Sequence, residues 1–190
     1  MNVARVLYPV KVLGPGNRIG IWLCGCHRAC HGCSNPELWN ARPEYEISVD
    51  GLMQLIYSVQ KSYTIDGFTI TGGEPMNQAE DLSVLVDHLA ELSDDILVYS
   101  GYRMDELIHR DSATQHILET VAVLIDGEYI EEKNNGSRLR GSSNQEIHIL
   151  NRKFASRYRQ YLDEEHNQIQ NFTTADGIVS VGIHRRGFTL

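Results

Sequence analysis

Three cysteines on one short loop, Cys26-His27-Arg28-Ala29-Cys30-His31-Gly32-Cys33, constrain this chain more than any other feature. The fourth cysteine, Cys24, lies just upstream. A disulfide between any two of them would close a loop too short to restrain the unfolded chain. The first fourteen residues lack the charged start, apolar stretch and cleavage site of a secretory signal, so a reducing, cytoplasmic setting is expected. Metal binding is the reading that remains. A structural zinc site closes four positions, and here Cys24, His27 or His31 would have to complete it. An iron–sulfur cluster held by three thiolates instead leaves one iron open to a cofactor or substrate. The absence of a distant fourth cysteine favours the cluster. Cys24, two residues before Cys26 on a strand-like run, faces the same way and keeps zinc open as an alternative.

The rest of the chain supplies a scaffold for that loop. At 190 residues it is long enough for one domain with a proper core. No apolar run approaches the roughly 20 residues that would cross a bilayer, so no membrane span is expected. A formal net charge of −8 argues against nucleic acid and anionic membranes as partners and leaves proteins or small molecules. After a polar turn at Gly14-Pro15-Gly16-Asn17, residues 18–24 read as a strand running into the cysteines. Ser48 caps a helix whose Leu52, Leu55, Ile56 and Val59 recur at helical spacing, and residues 67–71 follow as a buried strand. The alternation continues with a helix over 79–92, a strand over 96–100, helical segments over 104–120 and a strand over 121–126. Such alternation predicts an α/β fold with a parallel sheet, either open and doubly wound or curled into a complete or partial barrel. In both, functional loops follow the C-terminal ends of strands. The cysteines, Gly72-Gly73-Glu74-Pro75, Gly101-Tyr102 and Gly127-Glu128 occupy those positions and are expected to meet on one rim. Residues 131–144 read as a long polar surface loop before a strand over 146–150.

The strand-end residues carry further expectations. Gly72 and Gly73 let backbone approach a ligand closely, and Glu74 can orient an ammonium group; the plainer reading is a strand-to-helix turn that Pro75 opens. Ser100 and Asp126 suit polar groups of a cofactor, or serve as turn and cap residues. The donor-rich run Arg140-Gly141-Ser142-Ser143-Asn144-Gln145 suits a carboxylate or a partner's backbone, or is a solvated loop. His27 and His31 read as exposed spacers, and Trp22 and Trp39 as packing residues.

The cysteine loop resembles the radical S-adenosylmethionine superfamily, whose signature spaces three cysteines as CxxxCxxC. Cys33-Ser34-Asn35-Pro36-Glu37-Leu38-Trp39 is similar to the stretch after the last cysteine in glycyl-radical-enzyme activases, and Thr71-Gly72-Gly73-Glu74-Pro75 to their second motif. Tyr8-Pro9-Val10, Gly14-Pro15-Gly16, Ser100-Gly101-Tyr102, Val123-Leu124-Ile125-Asp126-Gly127 and Arg140–Gln145 occur in the order seen in anaerobic ribonucleotide reductase activating proteins. The resemblance spans about residues 1–150. It departs at Gly32, where many superfamily members carry an aromatic residue; at Glu74, where the activases often have aspartate; at Glu128, where some have lysine; and in the tail over 151–190.

The resemblance implies a [4Fe–4S] cluster on Cys26, Cys30 and Cys33, and S-adenosylmethionine on its open iron. Gly72, Gly73 and Glu74 would place the amino end, while Ser100 and Asp126 would bind other polar groups. Reductive cleavage would give a 5′-deoxyadenosyl radical that takes hydrogen from a glycine of a glycyl radical enzyme such as anaerobic ribonucleotide reductase. The electron would come from a donor such as flavodoxin or ferredoxin. The implied fold is a partial, open α/β barrel over 1–150 with a C-terminal extension over 151–190, made of a helix and a strand or hairpin packed on the same domain. Two other functions stay open: radical modification of another peptide or a small molecule, and a non-enzymatic metal-binding interaction module. In the extension, 154–162 reads as an amphipathic basic helix and 177–188 as a turn and edge strand carrying His184, Arg185 and Arg186. It is expected to be a lid or docking element, the competing reading being that it completes the core.

Overall fold

The computed structural model describes residues 1–164, 167–175 and 177–185. Its main sheet has six strands in chain order: β1 (Val3–Val10), β2 (Arg18–Leu23), β3 (Gly67–Gly72), β4 (Ile96–Tyr99), β5 (Val123–Asp126) and β6 (Glu146–Ile149). Strands β2 to β5 are parallel, while β1 and β6 flank them antiparallel. The parallel strands are the ones expected from the alternation. The edge strand β1 was not, because Arg5 and Pro9 interrupt its apolar pattern and most of it is only half-buried. Among the described residues no helix is long and apolar enough to cross a membrane.

The crossovers carry α1 (Val49–Gln60), α2 (Ala79–Ala90), and α3 (Met104–Leu107) with α4 (Ser112–Thr120). Ser48 caps α1 as its side chain accepts from the Gly51 N–H at 3.1 Å. Strands that follow one another in spatial order with right-handed crossovers place every helix on one face. That face holds the larger core, where Ile19, Ile21, Phe68, Ile70, Ile96, Val98 and Leu124 meet Leu52, Ile56, Leu82, Leu85, Leu89 and Ile117.

The opposite face also has to be covered, since β2 and β5 are buried along their whole length. The residues that alternate with the first set point there: Arg18, Gly20 and Trp22 on β2, Thr69 on β3, Leu97 on β4, Val123 and Ile125 on β5. A helix from the extension, α5 (Ala155–Asp163), covers the β4–β5 side with Phe154, Tyr158 and Tyr161. The hairpin β7 (Gln170–Thr174) and β8 (Gly177–Val181) covers the β1–β2 side, with Val181 packed among Val10, Val12, Leu13 and Trp22. Both parts of the extension thus pack on the inner face of the sheet. The helix is core, and the hairpin approaches the strand ends. Of the basic run placed on the terminal strand, His184 and Arg185 follow β8, whereas Arg186 and the residues after it lie outside the described residues.

Tyr158 is fully buried and its hydroxyl donates to Asp95 Oδ1 at 2.7 Å. Tyr158→Ala is therefore expected to cost about 3–5 kcal/mol, as for other large aromatic truncations in cores. Equilibrium urea unfolding checks this, and an unchanged midpoint would show that α5 is only laid on the surface.

Candidate functional site

The four strand-end loops do converge. Cys26, Cys30, Cys33, Gly72, Gly73, Glu74 and Ser100 line one cavity of about 190 Å³ at the C-terminal ends of β2 to β4, and Gly127, Tyr129 and Gln145 bound it beyond β5. The cysteine loop is fastened on two sides. Gly25 and Cys26 donate to the carbonyls of Leu38 and Trp39 at 2.9 and 2.8 Å, and Gly73 and Glu74 donate to those of Leu23 and Gly25, both at 2.8 Å. Within the loop the Cys33 N–H returns to the Cys30 carbonyl at 3.1 Å. Gly32 has φ +71°, and a Cβ there would meet the Glu131 side chain at 2.9 Å, which is why no aromatic residue stands in this position.

The thiols suit a cluster better than a single ion. Burial raises the Cys30 and Cys33 thiols above their usual range, which favours the neutral thiols when no cation is bound. Among the described residues no group of three or more His, Cys, Asp or Glu side chains is drawn together around a single-ion site. Zinc requires its ligands about 2.3 Å from one point, whereas in a cluster each thiolate binds its own iron, and three cysteines facing a shared cavity meet that demand. Cys24 is buried beside Trp22 and Leu38 and does not line the cavity. His27 and His31 are exposed, and His31 Nδ1 lies 3.0 Å from Glu131 Oε2.

The glycines and acids also tie neighbouring loops to one another. A Cβ on Gly73 would sit 2.6 Å from the Gly25 carbonyl oxygen, and one on Gly72, at φ +107°, would strike the Leu23 backbone. The pair thus lets two loops touch, in addition to baring backbone toward the cavity. Glu74 is 1% exposed, and its carboxylate accepts from the Met76 N–H at 3.0 Å, the Ser100 hydroxyl at 2.9 Å and the Gly101 N–H at 2.7 Å. Burial pushes its carboxyl upward against those three donors. Ser100 is committed to Glu74 and also accepts from the Tyr102 N–H at 3.1 Å. Asp126 does not line the cavity: it accepts from the N–H groups of Met104 at 2.6 Å and Glu146 at 3.2 Å and lies 3.0 Å from His148 Nε2. In the 140–145 run, Gln145 accepts from Gly141 at 2.8 Å and donates to the Gly127 carbonyl at 2.8 Å, which folds the loop over the end of β5.

Two contributors escaped sequence reasoning, and the extension supplies a third. Arg28, inside the cysteine loop, lays its guanidinium on the Tyr102 ring at 4.2 Å, with Arg110 also against that ring at 4.3 Å. Trp39 lines the cavity, and its indole N–H is buried beside Cys33. The segment Ser180–His184 forms another wall. Arg28 had a sequence signal, an arginine between closely spaced cysteines, and the extension that carries His184 is the element read from sequence as a lid or docking element.

Residues 12–148 match the family described as "4Fe-4S single cluster domain". The chain is similar to the anaerobic ribonucleoside-triphosphate reductase-activating protein of Enterobacteria phage T4, with 34% identity over 152 residues, covering 77% of this chain and 93% of that protein. The protein of the same name from Escherichia coli K12 is 31% identical over 150 residues, covering 75% and 96%. That from Haemophilus influenzae is 36% identical over 149 residues, covering 74% and 94%.

Glu74→Gln tests the carboxylate's part in this arrangement. An amide would bring an NH₂ group against a site built of donors, so a loss of about 1–3 kcal/mol in unfolding free energy is expected. Unchanged stability would mean that the tie between the β3 and β4 loops is dispensable.

Proposed function

The chain belongs to the family of anaerobic ribonucleoside-triphosphate reductase-activating proteins, and from that membership we propose that its cavity holds a [4Fe–4S] cluster on Cys26, Cys30 and Cys33 with S-adenosylmethionine beside it. It is a radical enzyme that activates a glycyl radical enzyme. The observation that carries the site assignment is the shared cavity of the three thiols, the Gly72-Gly73 backbone and Ser100 at the ends of parallel strands. Glycine at 72 and 73 leaves the strand-end backbone bare, so methionine's amino end can reach it. Glu74 and Ser100, hydrogen-bonded to each other, hold that backbone in place and set the negative charge that faces an ammonium group. Asp126 positions the next loop by accepting from Met104, which keeps the β4 and β5 ends in register. The bound pair supplies one-electron cleavage of a carbon–sulfur bond and, through it, removal of hydrogen from a glycine carbon. The protein orders the reacting groups and keeps water from them.

We read the sequential sheet with its crossover helices on one face as an open α/β barrel, its concave side turned to the cavity. In this reading residues 1–150 form the barrel and 151–190 an extension folded with it. The glycyl radical partner is the anaerobic reductase, and a one-electron donor of the flavodoxin or ferredoxin type delivers the electron at the exposed side of the cysteine loop, near His27 and His31.

Anaerobically prepared protein is expected to contain iron and sulfide, to cleave S-adenosylmethionine when reduced, and to generate a glycyl radical signal by electron paramagnetic resonance on adding the reductase. Cys26→Ala, Cys30→Ala and Cys33→Ala should each abolish cluster assembly, because each removes one of three ligands. Cys24→Ala should retain it. Equal iron loss in the Cys24 variant, or one tightly bound zinc without sulfide, would reject the assignment.

A further inference from the structure

The family match stops at residue 148, while the phage relative is covered to 93% of its own length, so the hairpin adds to the matched fold. It does not add at a distance. Ser180, Val181, Gly182, Ile183 and His184 line the same cavity as the three cysteines and Gly73. Their seat is well defined. Val181 is 3% exposed, and Gln170 on the paired strand accepts from the Lys11 N–H at 3.0 Å and donates to the Pro9 carbonyl at 2.7 Å. Asn167 donates to the Ile183 carbonyl at 2.7 Å. Asn134 donates both to the His184 carbonyl at 2.9 Å and to the hydroxyl of Tyr129, itself a wall of the cavity.

Two features give this wall a role. With the hairpin seated, Ser180–His184 form one side of a cavity of about 190 Å³, below the ~300–1,000 Å³ of ordinary ligand sites, so admitting larger ligands calls for a wall to move. The other walls are strand ends and a loop laced by backbone hydrogen bonds, whereas the hairpin is tied to the barrel by side-chain contacts, so it is the wall that can yield. The second feature is chemical. Ser180 Oγ and His184 Nε2 lie 2.9 Å apart, and burial lowers the pKa of the imidazole and so favours its neutral form. A hydroxyl and a neutral imidazole each donate and accept, which matches the N–H and C=O groups of a peptide and brings no charge into the site.

We propose that the β7–β8 hairpin is the substrate-selecting wall of the radical site: a glycine-bearing loop of the partner enzyme enters by displacing Ser180–His184, and Ser180 and His184 then hydrogen-bond to its backbone. This rests on the activase reading above and specifies which residues the substrate meets.

The test uses full-length holoenzyme with the anaerobic reductase of the same organism. Hydrogen exchange across residues 177–184 should change by about threefold or more when reductase is added to the unreduced protein, without any chemistry. His184→Ala and Ser180→Ala should each lower the yield of glycyl radical per S-adenosylmethionine cleaved by about fivefold, the equivalent of one lost hydrogen bond. His184→Gln, which can still donate and accept, should recover most of that coupling, as a merely space-filling role would not require. Unchanged exchange, or unchanged coupling in both alanine variants with wild-type melting behaviour, overturns the proposal. If wild-type enzyme cleaves the cofactor but never makes a glycyl radical, the activase reading fails instead, whatever the variants do.

Discussion

A guanidinium cut off from water organises the inner face of the sheet. Arg18 is fully buried at the start of β2, where its Nε donates to Thr69 Oγ1 at 2.8 Å and Nη1 to the Pro15 carbonyl at 3.3 Å. Its Nη2 donates to the carbonyls of Phe68 and Asp95, and Nη1 lies 3.1 Å from the Asp95 carboxylate. Desolvating such an ion is costly, and only a full set of partners offsets it. Those partners come from the polar turn, β3, the loop before β4 and, through Tyr158 on Asp95, the extension. The N-terminal ends of the strands are thereby filled and fixed. The cavity that the cysteines line lies at the opposite, C-terminal ends of the strands.

At that upper end a chain of short bonds runs from loop to loop. Trp39 and Leu38 hold Gly25 and Cys26, Gly25 and Leu23 hold Glu74 and Gly73, and Glu74 holds Ser100 and Gly101. Ser100 in turn donates its N–H to the Ile125 carbonyl at 2.8 Å, and Gly127 donates to Tyr102 at 3.0 Å. Gln145 closes the series on Gly127. A rim fixed in this way orders the thiols and the glycine backbone before any ligand arrives, which is where proximity effects in catalysis originate. It also explains why the strand-end glycines cannot carry side chains: space beside Gly72 and Gly73 is already occupied by the neighbouring strand.

The parts legible from sequence are those whose signals are local. Cysteine spacing, the Gly-Gly turn and the alternation of strand and helix each sit within a few residues, and together they indicated the rim. What was hidden depends on long-range pairing. Arg18 reads as the end of a polar turn, and Asp95 as a loop acid, until the fold brings them together over 77 residues of sequence. Tyr158 and Tyr161 stand among Arg157, Arg159 and Lys153, so α5 reads as an amphipathic basic helix whose seat the sequence leaves open, and those two rings and Phe154 all reach the core. The bonds that fix Glu74 were equally hidden, because its three backbone and hydroxyl donors come from positions 76, 100 and 101, two of them on another strand's loop.

The two halves of the extension meet the same uncovered face with unequal grip. The helix is locked by buried aromatic rings and a charge network whose disruption would strand an ion in the interior, so its release would amount to unfolding. The hairpin is held by one buried side chain, Val181, with Phe172, Val179 and Ile183 only partly buried, and by a few amide side chains including the contact of Asn134 with the His184 carbonyl, each worth about an ordinary hydrogen bond. Local opening follows such differences, with the weakest ties giving first. The gradient of stability along the inner face therefore runs from a rigid floor at Arg18 to a releasable wall at Ser180–His184. The proposed displacement of that wall lies at the end where a substrate has to enter, and it leaves the hydrogen bonds of the cysteine rim intact.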